Sequence, residues 1–88
     1  MNSEILKDKK GKRIGKITTD LRGKSTVCDE KGKKVGTIKP DSSGKLIAYD
    51  RLGHKIATYD PKAEKTTDRL GRRISKENIL VELIFNDD

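Results

Sequence analysis

The chain has very few aromatic residues and a single cysteine. Its 88 residues include no tryptophan, two tyrosines and one phenylalanine, and hydrophobic residues make up 31% of the sequence. The hydrophobic core must be small, because a chain of this length buries only about 60–65% of its unfolded surface. The one cysteine, Cys28, excludes an internal disulfide and fits a reducing compartment.

Long apolar runs are also missing. No stretch approaches the roughly 18 apolar residues that a membrane-spanning helix needs. Residues 1–10 carry Glu4 and Asp8 and contain no apolar segment typical of a secretory signal. These absences predict a cytoplasmic protein without a membrane partner.

The chain is equally poor in metal ligands and in catalytic patterns. One histidine and one cysteine argue against a zinc site, and the acidic residues do not follow the spacing of a calcium loop. The segment Gly23-Lys24-Ser25-Thr26 imitates the end of a phosphate-binding loop, but the glycine that such a loop requires five residues earlier is replaced by Thr18. We therefore expect no enzymatic activity, no catalytic residue, no metal and no cofactor.

A four-residue pattern, Asp-x-x-Gly, is what the sequence has in abundance. Four copies, which we call the main turns, occupy residues 8–11, 29–32, 50–53 and 68–71, and their glycines are 21, 21 and 18 residues apart. Three residues after each glycine comes a β-branched residue, followed by a small one. A fixed period of this length predicts a repeat architecture.

Intermediate turns of the same kind lie between the main turns, at residues 20–23 and 41–44, with a variant at 60–63 that contains Pro61. The aspartate accepts hydrogen bonds from nearby backbone amides, and the glycine supplies the positive φ of a hairpin turn. A turn every 8 to 12 residues predicts short antiparallel strands. We predict strands at about residues 4–7, 12–19, 24–28, 33–39, 45–49, 54–59, 64–67 and 72–76.

The predicted fold is therefore all-β, with four pseudo-symmetric antiparallel β-hairpin repeats of about 21 residues in a single domain, 1–88. Because free strand edges invite association, we expect the arrangement to be closed or nearly closed. Ile14 and Ile17 are three residues apart, so a bulge at Gly15, and likewise at Gly36 and Ala57, is needed to place both on one face. The repeats cover about residues 5–19, 24–39, 45–59 and 64–76.

The most apolar segment, residues 79–85, breaks the repeat. Its β-branched content favours a strand, while a short helix capped by Ser75, with Ile79, Leu80, Leu83 and Ile84 on one face, is the alternative. We predict a C-terminal strand that completes the core within one chain. The alternative role is a homodimer or protein interface, formed by Ile79, Val81, Leu83 and Phe85.

Basic residues give the main positional signal for function. The net charge is +7, and the second residue after each main-turn glycine is always basic: Arg13, Lys34, Lys55 and Arg73. The first residue after each main-turn glycine is also basic, and in the third turn it is His54. If the repeats are related by rotation, these side chains form a ring that could hold phosphate groups of nucleic acid. Only Tyr49, Tyr59 and Phe85 are available to stack on bases.

The segments 29–38 and 49–57 resemble the repeat unit of the four-fold beta flower domain, in which four hairpins surround a pseudo-four-fold axis. The Tyr-Asp-x-x-Gly form is also similar to the repeats of large secreted toxin-shell proteins, which are long arrays. The first resemblance implies a bacterial β-hairpin protein and brings no catalytic residues. We expect a small non-enzymatic interaction or assembly module with a protein partner; the alternative is a basic module that binds nucleic acid.

Overall fold

The protein is a single antiparallel sheet followed by a short helix. The computed structural model describes residues 2–87, without the side chain of Asp87. The eight strands lie side by side in chain order, so every neighbouring pair is a hairpin. The elements are β1 (Asn2–Lys7), β2 (Arg13–Thr19), β3 (Ser25–Asp29), β4 (Lys34–Pro40), β5 (Leu46–Asp50), β6 (Lys55–Asp60), β7 (Lys65–Asp68), β8 (Arg73–Ser75) and α1 (Leu80–Asp87). All eight predicted repeat strands are confirmed, with ends that differ by at most two residues.

The Asp-x-x-Gly turns close in one common way. In each, one carboxylate oxygen accepts hydrogen bonds of 2.8–3.0 Å from the amides two and four residues later. The glycine has a φ of 83–90°, which costs a residue without Cβ little. The aspartates concerned are Asp8, Asp20, Asp29, Asp41, Asp50 and Asp68. In the variant turn after Asp60, Glu64 takes the positive φ instead, at 51°.

Each main hairpin contains a β-bulge, which was predicted for the first three. The ladder between β3 and β4 jumps from Val27↔Gly36 to Cys28↔Lys34, so Val35 is the extra residue. Corresponding jumps leave out Ile14, Ile56 and Ile74. The bulge thus falls one residue before the predicted small positions. Val35 and Ile38 are both buried, which confirms that the bulge brings residues three apart onto one side.

The small residues after the bulges leave room for the next strand and for α1. A Cβ added at Gly36 would lie 2.5 Å from the carbonyl oxygen of Tyr49 and 2.7 Å from Cγ2 of Ile84. A Cβ added at Gly15 would collide with the carbonyl oxygen of Cys28 and approach Phe85. Glycine is therefore required at these positions because a strand carbonyl and a helix side chain both approach its backbone closely.

The sheet is open, so the expected closed arrangement was wrong. Among residues 2–87, no ladder joins β1 to β8. β1 has six residues and β8 only three, so the two edges offer unequal pairing lengths. After Ser75 the chain leaves the sheet and enters α1, which covers the apolar face that closure would otherwise have enclosed.

The C-terminal segment is a helix, which corrects the predicted strand at 79–85. In a strand, Leu80, Glu82 and Ile84 would share a face, and burying the two apolar residues would bury the carboxylate. In the helix, Leu80 and Ile84 are fully buried, and Glu82 is exposed. Asn78, rather than the expected Ser75, leads into the helix, because its Oδ1 accepts a hydrogen bond of 3.1 Å from the Leu80 amide.

The core lies between the sheet and α1. Leu80 and Ile84 pack against a small set of buried strand residues: Val27, Val35, Ile38, Ala48 and Ala57. Thr66 is also fully buried, and its hydroxyl donates a hydrogen bond of 2.6 Å to the carbonyl of Glu77. The helix therefore supplies the large side chains that the strands lack.

A candidate polyanion-binding surface

The two faces of the sheet differ completely in what covers them. The helix packs on one face, where Ile84 lies against Gly36 and Phe85 against Gly15. Paired residues in a sheet share a face, and successive residues alternate. On the other face, which we call the open face, pairing therefore aligns one cross-strand row: Ser3, Thr18, Thr26, Thr37, Tyr49 and Lys55. Ser3 and Thr18 are joined there by a hydroxyl hydrogen bond of 3.3 Å.

The four predicted basic residues are the first residues of β2, β4, β6 and β8. Each is exposed and pairs with the last open-face residue of the strand before it, as Lys55 does with Tyr49. Arg13, Lys34, Lys55 and Arg73 therefore lie at one end of the open face. Consecutive members are two strands apart, a separation of about 10 Å in a sheet. In the open sheet they form a row and not the expected ring.

Strand register adds cations to this face that the repeat alone does not indicate. Lys16 pairs with Ile5 and Cys28, and Lys39 pairs with Ile47, so both lie on the open face. Lys7 and Lys65 share it. Among the described strand residues of this face, Asp60 is the one carboxylate, and it accepts hydrogen bonds from the amides of its own turn. Counting alternation outward from each bulge would have identified these lysines from the sequence.

The net charge is concentrated at the main-turn end. The segments 7–13, 29–34, 50–55 and 68–73 carry thirteen lysines and arginines against five aspartates and glutamates, a net charge of +8. The intermediate turns at the opposite end, residues 20–24, 41–45 and 60–65, carry five against four, a net charge of +1. Nearly all of the molecule's excess positive charge therefore lies at one end.

The aspartates at the main-turn end are already engaged by their own turns. Besides the two amides that each binds, Asp50 Oδ2 lies 3.2 Å from His54 Nδ1, and Asp68 Oδ2 lies 3.0 Å from Arg72 Nε. The His54 amide holds the pKa of Asp50 below its ordinary value, and the Arg72 amide does the same for the pKa of Asp68. Asp50 and Asp68 are therefore ionised at neutral pH, and their oxygens face turn donors.

Of the three aromatic residues, only Tyr49 lies on the open face. It is half-buried, and the Lys39 ammonium lies 5.4 Å from its ring centroid, within range of a cation–π interaction. Tyr59 and Phe85 pack against the core on the helix side. An extended platform for stacking bases is therefore absent from the described part of the open face.

The residues predicted as a protein interface lie on or beside α1. Ile79, Val81, Leu83 and Phe85 are half-buried, and the last three pack against the core. A cavity of about 280 Å³ separates Val81 and Phe85 from Leu6 and Ile14 of the first hairpin. His54 is exposed, and Cys28 is a half-buried free cysteine in β3.

The described residues contain no cluster of metal ligands and no membrane-spanning helix. Between residues 2 and 87, no three His, Cys, Asp or Glu side chains are grouped so that they could bind a metal ion. The one helix in this range is too short to cross a bilayer. No protein-family model, curated protein or solved structure matches the chain, so the resemblances drawn from the repeats stay predictions.

Proposed function

We propose that the protein is a non-enzymatic binding module that holds nucleic acid through its main-turn end and the adjoining open face. The observation that carries this proposal is the uneven charge: +8 at one end and +1 at the other. A surface of one sign attracts the phosphate backbone and releases its counterions. A charge that served solubility alone would need no such concentration.

The chemistry of the open face favours contacts to the backbone over contacts to bases. Its exposed side chains include lysines, arginines and Ser3, which bind phosphate and sugar oxygens, while Thr37 in the middle of the face is buried. The chain contains no glutamine, and none of its three asparagines lies on this face, so the amides that read adenine edges are missing. We expect binding with little sequence preference and no requirement for unstacked bases.

The proposal is tested by fluorescence anisotropy with a labelled mixed-sequence DNA duplex at several salt concentrations. We expect affinity that persists near physiological salt. The four-fold variant Arg13→Gln, Lys34→Gln, Lys55→Gln, Arg73→Gln should bind much more weakly, with a salt slope reduced by about 3–4, because each lost phosphate contact removes about 0.9 from that slope.

The matched control removes four charges from the opposite end: Arg22→Gln, Lys24→Gln, Lys45→Gln and Lys62→Gln. This control should keep most of the affinity and most of the salt slope. Equal losses in the two four-fold variants would show that only the total charge matters. Either that result or binding that vanishes near physiological salt would contradict the proposal.

An interface for a second protein is the remaining candidate, and it has a specific feature in its favour. Because the sheet is open, β1 offers a six-residue outer edge that pairs with nothing among residues 2–87, and Ile5 on that strand is 44% exposed. Unpaired edges of this kind are sites for strand addition. Light scattering across a range of protein concentrations distinguishes a monomer from an assembled form.

A further inference from the structure

A cleft opens between the third and fourth main hairpins. β6 and β7 pair only as far as Ala57↔Asp68, and beyond this pair the two hairpins separate toward their turns. The cleft forms a cavity of about 320 Å³ that is open to solvent on one side and lies in the size range of small-molecule sites. His54, Lys55 and Ile56 line one wall, and Arg69, Leu70 and Arg72 line the other.

The cavity is also lined by two carboxylates, and both oxygens of each lie against hydrogen-bonding groups of its own turn. Asp50 accepts from the amides of Leu52 and His54, and its second oxygen faces the His54 ring. Asp68 is held in the same way by the amides of Leu70 and Arg72 and by Arg72 Nε. Within residues 2–87, Lys55 and Arg69 form no ion pair with a carboxylate, and the cavity lining carries three lysines and arginines against two aspartates.

The cleft combines positive charge with apolar surface. Leu70 is 72% exposed, and Ile56 is half-buried on the opposite wall. The corresponding turn positions of the second hairpin hold Glu30 and Lys31 where this cleft has Arg69 and Leu70. A site shaped for phosphate alone would need no leucine, whereas a phosphate attached to an apolar body would contact both kinds of side chain.

We propose that this cleft binds a small phosphate monoester with an apolar or aromatic body. The phosphate lies between Arg69 and Lys55, where a guanidinium can donate two parallel hydrogen bonds to its oxygens. The apolar body lies against Leu70 and Ile56. Lys55 is shared with the surface proposed for nucleic acid, whereas Arg69 and Leu70 are not among its four basic residues, so variants of these two residues test the cleft separately.

The test is a titration of the ¹⁵N-labelled full chain with phenyl phosphate at constant ionic strength. Binding is monitored through the amide chemical shifts in NMR spectra. We expect saturable shifts confined to residues 54–56 and 68–72. Arg69→Ala should weaken binding about tenfold, the value of one lost charge-assisted hydrogen bond. The matched control is Lys9→Ala, which removes a charge at the same turn position of the first hairpin and should change nothing.

Two further measurements separate the proposed ligand from simple anion attraction. Leu70→Asn should weaken binding of phenyl phosphate and leave the weaker binding of inorganic phosphate unchanged. Equal affinity for the two probes would overturn the assignment of an organic phosphate. Chemical shift changes that do not saturate and that spread over all four main turns would overturn the site itself. An equal loss of affinity in Lys9→Ala would do the same.

Discussion

At the scale of single residues, the aspartates that begin the turns organise most of the chain. One carboxylate oxygen of Asp29 binds the amides of Lys31 and Lys33, and the amide of Asp29 donates to the carbonyl of Lys33. These contacts are local in sequence, so they form wherever the pattern occurs. This is why turn positions and strand lengths could be predicted from the sequence alone.

Asp41 shows how a neighbouring side chain lowers the pKa of such a carboxylate. The Ser43 hydroxyl donates a hydrogen bond of 2.7 Å to Asp41 Oδ1, and this bond is the main reason that the pKa of Asp41 lies below its ordinary value. We expect Ser43→Ala to raise the Asp41 pKa toward the value of a free aspartate. A carboxyl ¹³C NMR titration measures it, with Ser42→Ala as the matched control.

The sign of the accompanying stability change follows from linkage. A group whose pKa is lower in the folded state stabilises the fold above its unfolded pKa, and that stabilisation is lost as the pH falls through the folded pKa. For Asp41, Asp50 and Asp68 the loss therefore begins near pH 4 and continues below it. An Asp41 pKa unchanged by Ser43→Ala would show that the hydroxyl is not the cause.

At the scale of elements, α1 decides how the sheet is stabilised. Leu80 and Ile84 are the two largest fully buried apolar side chains in the described chain. The strands that face them contribute mainly valines, alanines and glycines, which bury little surface individually. The helix therefore makes a larger contribution to the core than its eight residues suggest.

The helix also marks the limit of prediction from sequence. Residues 79–85 are rich in β-branched side chains, which favour a strand locally. The deciding factor is tertiary: Leu80 and Ile84 fill the space in the core beside the strands, with Ile84 against Gly36, while Glu82 stays in solvent. No property of the segment by itself reveals where that space lies, so the local preference pointed to the wrong element.

We expect Ile84→Ala to lower the free energy of unfolding by about 2–5 kcal/mol, because it leaves a cavity in a well-packed core. The measurement is urea unfolding followed by circular dichroism. Glu82→Ala, in the same helix but exposed, is the control and should change the stability by less than about 0.5 kcal/mol. Similar small effects for both variants would mean that α1 does not hold the sheet together.

At the scale of the whole molecule, the same hairpin pattern is compatible with an open or a closed sheet. The turns and bulges are fixed by neighbouring residues, whereas closure depends on how the first and last strands meet. The repeat locates the four basic residues directly after the main turns, and the structure places them as the first residues of β2, β4, β6 and β8. Their common face, which also carries Lys16 and Lys39, follows from strand alternation once each bulge is placed in the register.

The concentration of charge at one end has a consequence for stability. Thirteen cations against five carboxylates repel one another, and salt screens this repulsion, since the Debye length falls from about 30 Å at 0.01 M to about 10 Å at 0.1 M. We expect the free energy of unfolding, measured in urea, to increase as NaCl is raised over this range. A folded protein with an even charge distribution should show a smaller increase in the free energy of unfolding over the same range of salt.

Substitution at the main turns tests whether this effect arises at that end. Lys10 and Lys31 occupy the turn position at which the third and fourth hairpins carry leucines, so the position tolerates an uncharged residue. Lys10→Gln with Lys31→Gln should stabilise the fold at low salt and reduce its dependence on salt. Lys45→Gln with Lys62→Gln removes the same charge from the balanced end and should have less effect. An equal response from the two pairs would indicate that the repulsion is spread over the whole surface.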